Sequence, residues 1–409
     1  MKKIKSFLEK FKHLSKWQII RLSICLACLI IYFVASSWMN FKISLLNDQL
    51  VSNRWSSDGS FGQASIYFTQ GTAVTESKIK EFEYRISKAL TEDSIDDGTD
   101  EEDTIDNWTD CYSSVGSITA MANNKSVETT AIGTGGDFFV FHPVTLITGS
   151  YYNGDDLMND KVVIDENLAW QLFGSNDIIG ETIEISGVPH IITGVARFDS
   201  DKMSKAAGIN GPICFLSYYS LYNYGSVYGT SVSSAFRSSS DTKASDSSST
   251  SNTSNSTSDS ASYSESDPGA ISCYEVVMPN PVDGYARSVL AGKLGMDEKS
   301  VLVVDNKERF GFIPMLNVIN AFPTRSMRTF NVTFPYWENI ARGWEDIFAI
   351  IFAIRVICVL VLVCMLVYKI VYSYRHKKWT AKGIYTYILD RKYDLESSLK
   401  YERDKWRYF

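Results

Sequence analysis

Two long apolar runs stand near the two ends of this chain, and between them apolar residues come only in short alternations. The first run is "LSICLACLIIYFVASSWM", Leu22 to Met39; the second is "IFAIIFAIRVICVLVLVCMLVYKIV", Ile347 to Val371. A helix needs roughly 17–25 such residues to cross a hydrocarbon core, so each run predicts a spanning helix. The first exceeds the h-region of about 7–15 residues found in a cleaved signal peptide and is read as a retained helix. Phe41 to Asn53 continues it as a helical stalk. "ASIYFTQG" (Ala64–Gly71) alternates as a strand does, and in "TESKIKEFEYRISKAL" the residues Ile79, Phe82, Ile86 and Leu90 recur at helical spacing behind Thr75, a candidate N-cap. Residues 113–195 carry strand-like runs such as "VGSITAMA", "VETTAIGTG" and "KVVIDE", punctuated by glycine and asparagine. "IEISGVPHIIT" predicts a hairpin with Gly187-Val188 in its turn. A Ser/Thr/Asn/Asp tract from Ser231 to Asp267 cannot bury a core and is expected to be disordered. "SCYEVVMP", a helix opened by Pro281 and Asp283, and "KSVLVVDN" follow as β-α-β. The expected fold is a membrane protein in which two transmembrane α-helices flank an α+β domain. In that domain the β-α and β-α-β pieces join and a β-rich region, about residues 111–215, is inserted between them.

Charge gives this arrangement a direction. Lys2, Lys3, Lys5, Lys10, Lys12, Lys16 and Arg21 precede the first run, and Arg375, Lys377, Lys378, Lys382, Arg391 and Lys392 follow the second. The positive-inside rule therefore puts both termini in the cytoplasm and residues 42–343 outside, in a cell membrane. The expected divisions are a basic segment 1–21, spans at 22–39 and 351–371, stalks at 40–60 and 336–350, an outer domain at 61–335 and a basic tail at 372–409. A net charge of −7 argues against nucleic acid as a partner. Arg355 sits inside the second run, where a charge is costly. It either snorkels toward the outer surface or pairs with a partner helix.

Candidate chemistry is sparse. Of seven cysteines, Cys25, Cys28, Cys358 and Cys364 lie in the apolar runs. Cys214 and Cys273 sit on strand-like segments either side of the Ser-rich tract and are a candidate disulfide closing it. The carboxylates Asp96, Asp100, Glu102 and Asp106 do not follow the calcium-loop spacing. His142 and His190 form no metal-ligand pattern, no G-x-S-x-G occurs, and "IGTGGDF" lacks the phosphate-loop lysine. No enzyme, metal or cofactor is expected.

"DKVVIDENLAWQLFGSNDIIGETIEISGVPHIITGVAR" resembles the signature of the MacB-like periplasmic core domain: a strand, a helix ending in Leu172-Phe173-Gly174, a turn at Ile179-Gly180, a hairpin, and a closing Thr193-Gly194-Val195. "FPYWENIARGWED" (Phe334–Asp346), with Pro335, Trp337 and Glu338, resembles the stalk entering the second helix of related FtsX-like permeases. The resemblance implies a porter-like half with a β-rich insertion. It also implies a non-catalytic subunit of an ABC-type transporter of the mechanotransmission kind, in which ATP acts only through a partner. Family permeases have four transmembrane helices where this sequence shows two apolar runs. The expected partners are therefore the membrane, an ABC ATPase and/or a permease subunit supplying the missing helices, and an extracytoplasmic client. The alternative is a stand-alone membrane-anchored binding or scaffold protein without a motor.

Overall fold

The computed structural model describes residues 16–93, 108–154, 156–198, 201–209, 211–228, 269–323, 332–376 and 381–405. The first basic residues, the carboxylates from Asp96 to Asp106 and the Ser-rich tract lie outside the described residues. The chain divides into two units, Met39–Phe352 and a second made of Met1–Trp38 with Ala353–Phe409.

In the first unit the strands are β1 (Phe61–Phe68), β2 (Thr109–Ala122), β3 (Lys125–Gly136), β4 (Thr145–Gly149), β5 (Lys161–Asp165), β6 (Thr182–Ile185), β7 (Val188–Arg197), β8 (Ile213–Ser217), β9 (Ser226–Val227), β10 (Cys273–Pro279) and β11 (Val301–Asp305). They form one mixed sheet in the order β11-β1-β10-β2-β3-β8-β5-β7-β4, with β6 on β2 and β7, and β9 on β2. The β3–β8 and β5–β7 pairs are parallel. The β-α and β-α-β pieces do meet: β1 runs antiparallel between β10 and β11. The region between them is not a separate sheet, as a self-contained insertion would be. Strand β2 is 14 residues long, and at about 3.4 Å per residue it is long enough to serve both halves. Its start pairs with β10, and its end with β6.

The helices here are α1 (Lys16–Ile43), α2 (Val51–Trp55), α3 (Glu76–Glu92), α4 (Phe138–Phe141), α5 (Glu166–Leu172), α6 (Lys202–Ala206), α7 (Tyr218–Tyr224), α8 (Tyr285–Gly292), α9 (Phe312–Ala321) and α10 (Tyr336–Arg375); α1 and α10 continue into the second unit. Thr75 caps α3, its side chain accepting from the Lys78 N–H, as the sequence predicts. Helix α8 opens two residues after Asp283, because Gly284 at φ +83° turns the chain into it. The hairpin turns on Ser186-Gly187, one residue earlier than expected, since both have positive φ (+50° and +81°) as a type I′ turn requires. The first stalk helix stops at Ile43, and the chain passes through a 3-10 turn, Asn47–Gln49, into α2.

Alternation along β1 and β10 separates two layers. Ala64, Ile66 and Phe68 with Tyr274, Val276 and Met278 pack with Ile79, Phe82, Ile86 and Leu90 of α3 and Val289 and Leu290 of α8. Gln63, Ser65 and Tyr67 with Cys273, Glu275 and Val277 occupy the opposite face.

The expected Cys214–Cys273 bridge is corrected: both thiols are free and buried. Cys214 is on β8 and Cys273 on β10, with β2 and β3 between them. At about 4.8 Å per strand they are far beyond the roughly 7 Å Cα limit of a disulfide. Alkylation of the unfolded protein should give the same mass with and without reductant; a difference of two labels would restore the bridge.

In the second unit the remainders of α1 and α10 are joined by α11 (Ala381–Lys405). Helices α1 and α10 are long and apolar enough to cross a membrane. Arg355 does not stand alone within its run: its guanidinium lies 5.1 Å from the Tyr32 ring centroid, with Nη2 donating to Tyr32 Oη at 3.5 Å. Arg21 makes the same kind of contact with Tyr368, at 4.6 Å.

Candidate functional site

The polar face of the β1–β10 layer is covered by charged groups from four separate stretches of chain. Glu275, fully buried on β10, accepts from Ser65 Oγ at 2.6 Å and faces His142 Nε2 at 2.5 Å. His142, the residue that closes α4, turns its other nitrogen to Asp48 Oδ1 at 2.9 Å. Asp48 belongs to the 3-10 turn that follows α1. Two carboxylates flank one imidazole, so both ring nitrogens donate when it is protonated. Burial alone would push the His142 ring down, but Glu275 and Asp48 outweigh it and hold it up to about 9. Burial would likewise raise Glu275, yet His142 and the Ser65 hydroxyl keep it below the usual carboxylate range.

A second cluster adjoins the first. Arg309, in the turn after β11, grips Glu338 of α10 with two parallel bonds, Nη1 to Oε2 at 2.6 Å and Nη2 to Oε1 at 2.7 Å. This is the planar fork geometry that makes Arg–carboxylate pairs strong. Its Nε donates to Glu345, one heptad further along α10, and Nη1 also reaches Gln49 Oε1 at 3.0 Å. Tyr67 Oη donates to Glu338 from β1 at 3.1 Å. Trp337 lies between the clusters, fully buried, its ring 4.0 Å from that of His142. Asn306, just after β11, donates to Ser65 Oγ at 2.7 Å and so adds to the first cluster.

The sequence prepares this arrangement locally. Trp337, Ala341, Glu345, Phe348 and Phe352 are buried and recur every three or four residues, with buried Glu338 beside the first, so the start of α10 turns one face inward. Gln63 on β1 accepts from the Val51 N–H at 3.0 Å and donates to the Asp48 carbonyl at 2.7 Å, which holds the 3-10 turn on the sheet. Both segments leading to the apolar runs are therefore tied to the same strands by hydrogen-bonded charge.

Of the residues singled out from the sequence, Pro335, Trp337 and Glu338 belong here: the Pro335 carbonyl accepts the first helical bond of α10, from Asn339. Phe173, Gly174, Gly180 and Gly194 lie elsewhere. Phe173 packs on the apolar cluster around α5 and β7. Gly174 and Gly180 have φ of +72° and +87° with open space where a Cβ would stand, whereas a Cβ on Gly194 would lie 2.8 Å from the Ser150 carbonyl. Gly174→Asn should consequently cost less than about 1 kcal/mol, because asparagine tolerates that conformation. Gly194→Val should cost about 1–3 kcal/mol through forced overpacking. Urea unfolding of both variants checks the contrast.

Sequence reasoning missed Arg309, Glu275, Asp48, Gln49 and Glu345. The available signal was a glutamate inside the apolar strand "SCYEVVMP", in phase with Gln63, Ser65 and Tyr67. Cys111, His142 and Glu275 bring ligand-type atoms within 4.8 Å of one another and are the described residues that could hold a metal ion. Both His142 nitrogens are already engaged by carboxylates, so a metal would have to displace one of them.

The chain is similar to the macrolide export ATP-binding/permease protein MacB of Shigella dysenteriae serotype 1 (strain Sd197), 35% identical over 78 residues, which is 18% of this chain and 12% of that protein. The protein of the same name from Chromobacterium violaceum is 34% identical over 74 residues, again 18% and 12%. The chain thus spans a small part of the length of these relatives. Among solved structures, the extracellular domain of the noncanonic ABC-type transporter YknZ from Gram-positive bacteria aligns over 59% of this chain and 99% of its own, at 12% identity and a TM-score of 0.33. The periplasmic region of MacB from Actinobacillus actinomycetemcomitans aligns over 65% and 94%, at 15% identity and a TM-score of 0.35. A family model, the MacB-like periplasmic core domain, matches residues 24–257. That stretch is more than half of the sequence and runs from the first apolar helix past the signature segment, and on it the chain belongs to the family of the MacB-like periplasmic core domain.

Proposed function

We propose that this protein is a non-catalytic membrane subunit of an ABC-type transporter or mechanotransmission complex. Residues 22–39 and 351–371 span a cell membrane, both termini lie in the cytoplasm, and residues about 42–343 form an extracytoplasmic domain that engages a client. The helices couple to an ATPase or permease in trans, and ATP acts only through that partner. The observation that carries this reading is the joint anchoring of two segments: Asp48 and Gln49 after α1, and Glu338 and Glu345 at the start of α10, meet two adjoining charge clusters that cover the polar face of β1 and β10. Buried, mutually hydrogen-bonded charges have few alternative arrangements. A displacement of either segment would therefore be passed to the sheet rather than absorbed by sliding apolar contacts. The test is purification of the tagged full-length protein from native membranes, with identification of every bound subunit. Repeated recovery with an ABC ATPase or permease supports the proposal. Repeated recovery without either, from detergents that preserve other ABC complexes, overturns it in favour of a stand-alone anchored binding protein.

A further inference from the structure

Helix α9 leaves several large apolar side chains exposed. Its sequence, "FIPMLNVINA", holds no charged residue. Met315 is fully buried and Val318 nearly so, on the side facing the domain. Phe312, Ile313 and Leu316, at spacings of one and four, are 63%, 69% and 39% exposed, and Phe322 just beyond the helix is 53% exposed. These side chains form a contiguous apolar arc at helical spacing. Such a surface on a soluble face would favour aggregation.

Where α9 sits explains the arc. Phe312 packs edge-on against Phe352 with centroids 5.2 Å apart, and Phe310 against Phe348 at 5.3 Å. Phe348 and Phe352 are the first aromatic residues of the apolar run that begins at Ile347. One turn before Phe348, Trp344 stacks on it at 5.5 Å, and the Lys42 ammonium lies 5.3 Å from the Trp344 ring centroid. A tryptophan with a lysine beside it, at the start of an apolar run, marks the level of a membrane interface. The ring contacts hold α9 at that level. The domain's own packing thus leaves an uncharged apolar helix face at the height where α10 enters lipid.

We propose that α9 is an interfacial helix whose Phe312, Ile313 and Leu316 side chains insert into the outer leaflet beside α10, the occupant of this face being the lipid bilayer. The inference rests on the reading that α10 spans the membrane. An interfacial helix typically buries its apolar face by about 5–10 Å into the headgroup and acyl boundary. That depth suits a short uncharged helix as well as a basic amphipathic one when a spanning helix already supplies the anchoring.

The test uses the full-length protein in phosphatidylcholine nanodiscs, with and without bromine on the acyl chains near the headgroup, and reads tryptophan emission. Parent protein, Ile313→Trp and Tyr84→Trp are compared; Tyr84 on α3 is 69% exposed and serves as the aqueous control. The added emission of Ile313→Trp should be blue-shifted and mostly lost in brominated nanodiscs, while that of Tyr84→Trp is unchanged. If the Ile313→Trp increment behaves like the Tyr84→Trp increment while parent emission is still quenched, α9 faces water or a protein partner and the inference is overturned with the spanning reading intact. If parent emission, which includes Trp17, Trp38 and Trp344, is not quenched at all, the spanning reading fails and this inference falls with it.

Discussion

Arg309→Met is expected to destabilise the outer domain by about 3–5 kcal/mol, the cost of breaking a buried ion pair from one side. The substitution keeps most of the side-chain volume but withdraws a guanidinium from two buried carboxylates, Glu338 and Glu345. In a domain of this size that corresponds to a fall in melting temperature on the order of 10 °C. The exposed pair Arg197–Glu166 supplies the control, because Arg197 is 59% exposed and such pairs contribute only about 0–1 kcal/mol. Arg309→Met combined with Glu338→Gln should cost clearly less than the two single changes added together, with a coupling of about 1 kcal/mol or more. Thermal and urea unfolding of the full-length protein in detergent would measure both. Equal, small effects of Arg309→Met and Arg197→Met would show that the network contributes nothing to stability.

The second large effect is alkaline. The folded His142 ring is held up at about 9, whereas its ordinary value is 6.5. A raised pKa means the folded state binds the proton more tightly, so the stabilisation is complete below about pH 6.5 and is lost as pH climbs through about 9. The loss across that window amounts to roughly 3 kcal/mol, the free-energy equivalent of the shift. His142→Gln should flatten this part of the profile and be less stable than the parent at pH 6. Urea midpoints measured from pH 6 to pH 10 decide it. Parallel profiles for parent and variant would mean that His142 does not titrate as the flanking carboxylates dictate. At the acid end Glu275 acts in the opposite sense: its folded pKa is depressed, so its contribution is present above the ordinary carboxylate value and lost as pH falls through the folded one.

Which parts of this molecule can be read from the sequence follows from the range of the interactions. The two apolar runs, the Thr75 cap and the helical phase of Ile79, Phe82, Ile86 and Leu90 are local patterns, and each appears where expected. The hairpin is legible to within one residue: Ser186 is an unusual carrier of positive φ, so the sequence alone favours Gly187-Val188 as the turn. The continuity of the sheet was not legible, since it depends on β2 being long enough to pair with β10 at one end and β6 at the other. Arg309, Glu338, Gln49 and Tyr67 are far apart in the sequence, and no spacing rule joins them. Trp337 and Glu338 are legible only through resemblance to a family. The Cys214–Cys273 expectation failed for a related reason: flanking the same tract says nothing about how many strands separate two residues.

The pairing of β1 with β10 also dictates when this domain can form. Ser65 and Glu275, hydrogen-bonded neighbours in the folded sheet, are 210 positions apart in the chain. Closing so wide a loop carries an entropic penalty before any contact rewards it, and folds dominated by such pairings form slowly. Until β10 and β11 are made, β1 has neither of its sheet neighbours, and Ser65 and Tyr67 lack the partners they bond in the folded domain. Strand β2 can zip to β3 at once, since they are adjacent in sequence, so assembly would begin in the middle of the sheet and finish at the β10-β1-β11 end. The first strand made is among the last to be satisfied. For that interval the nascent domain presents an open sheet edge to its surroundings.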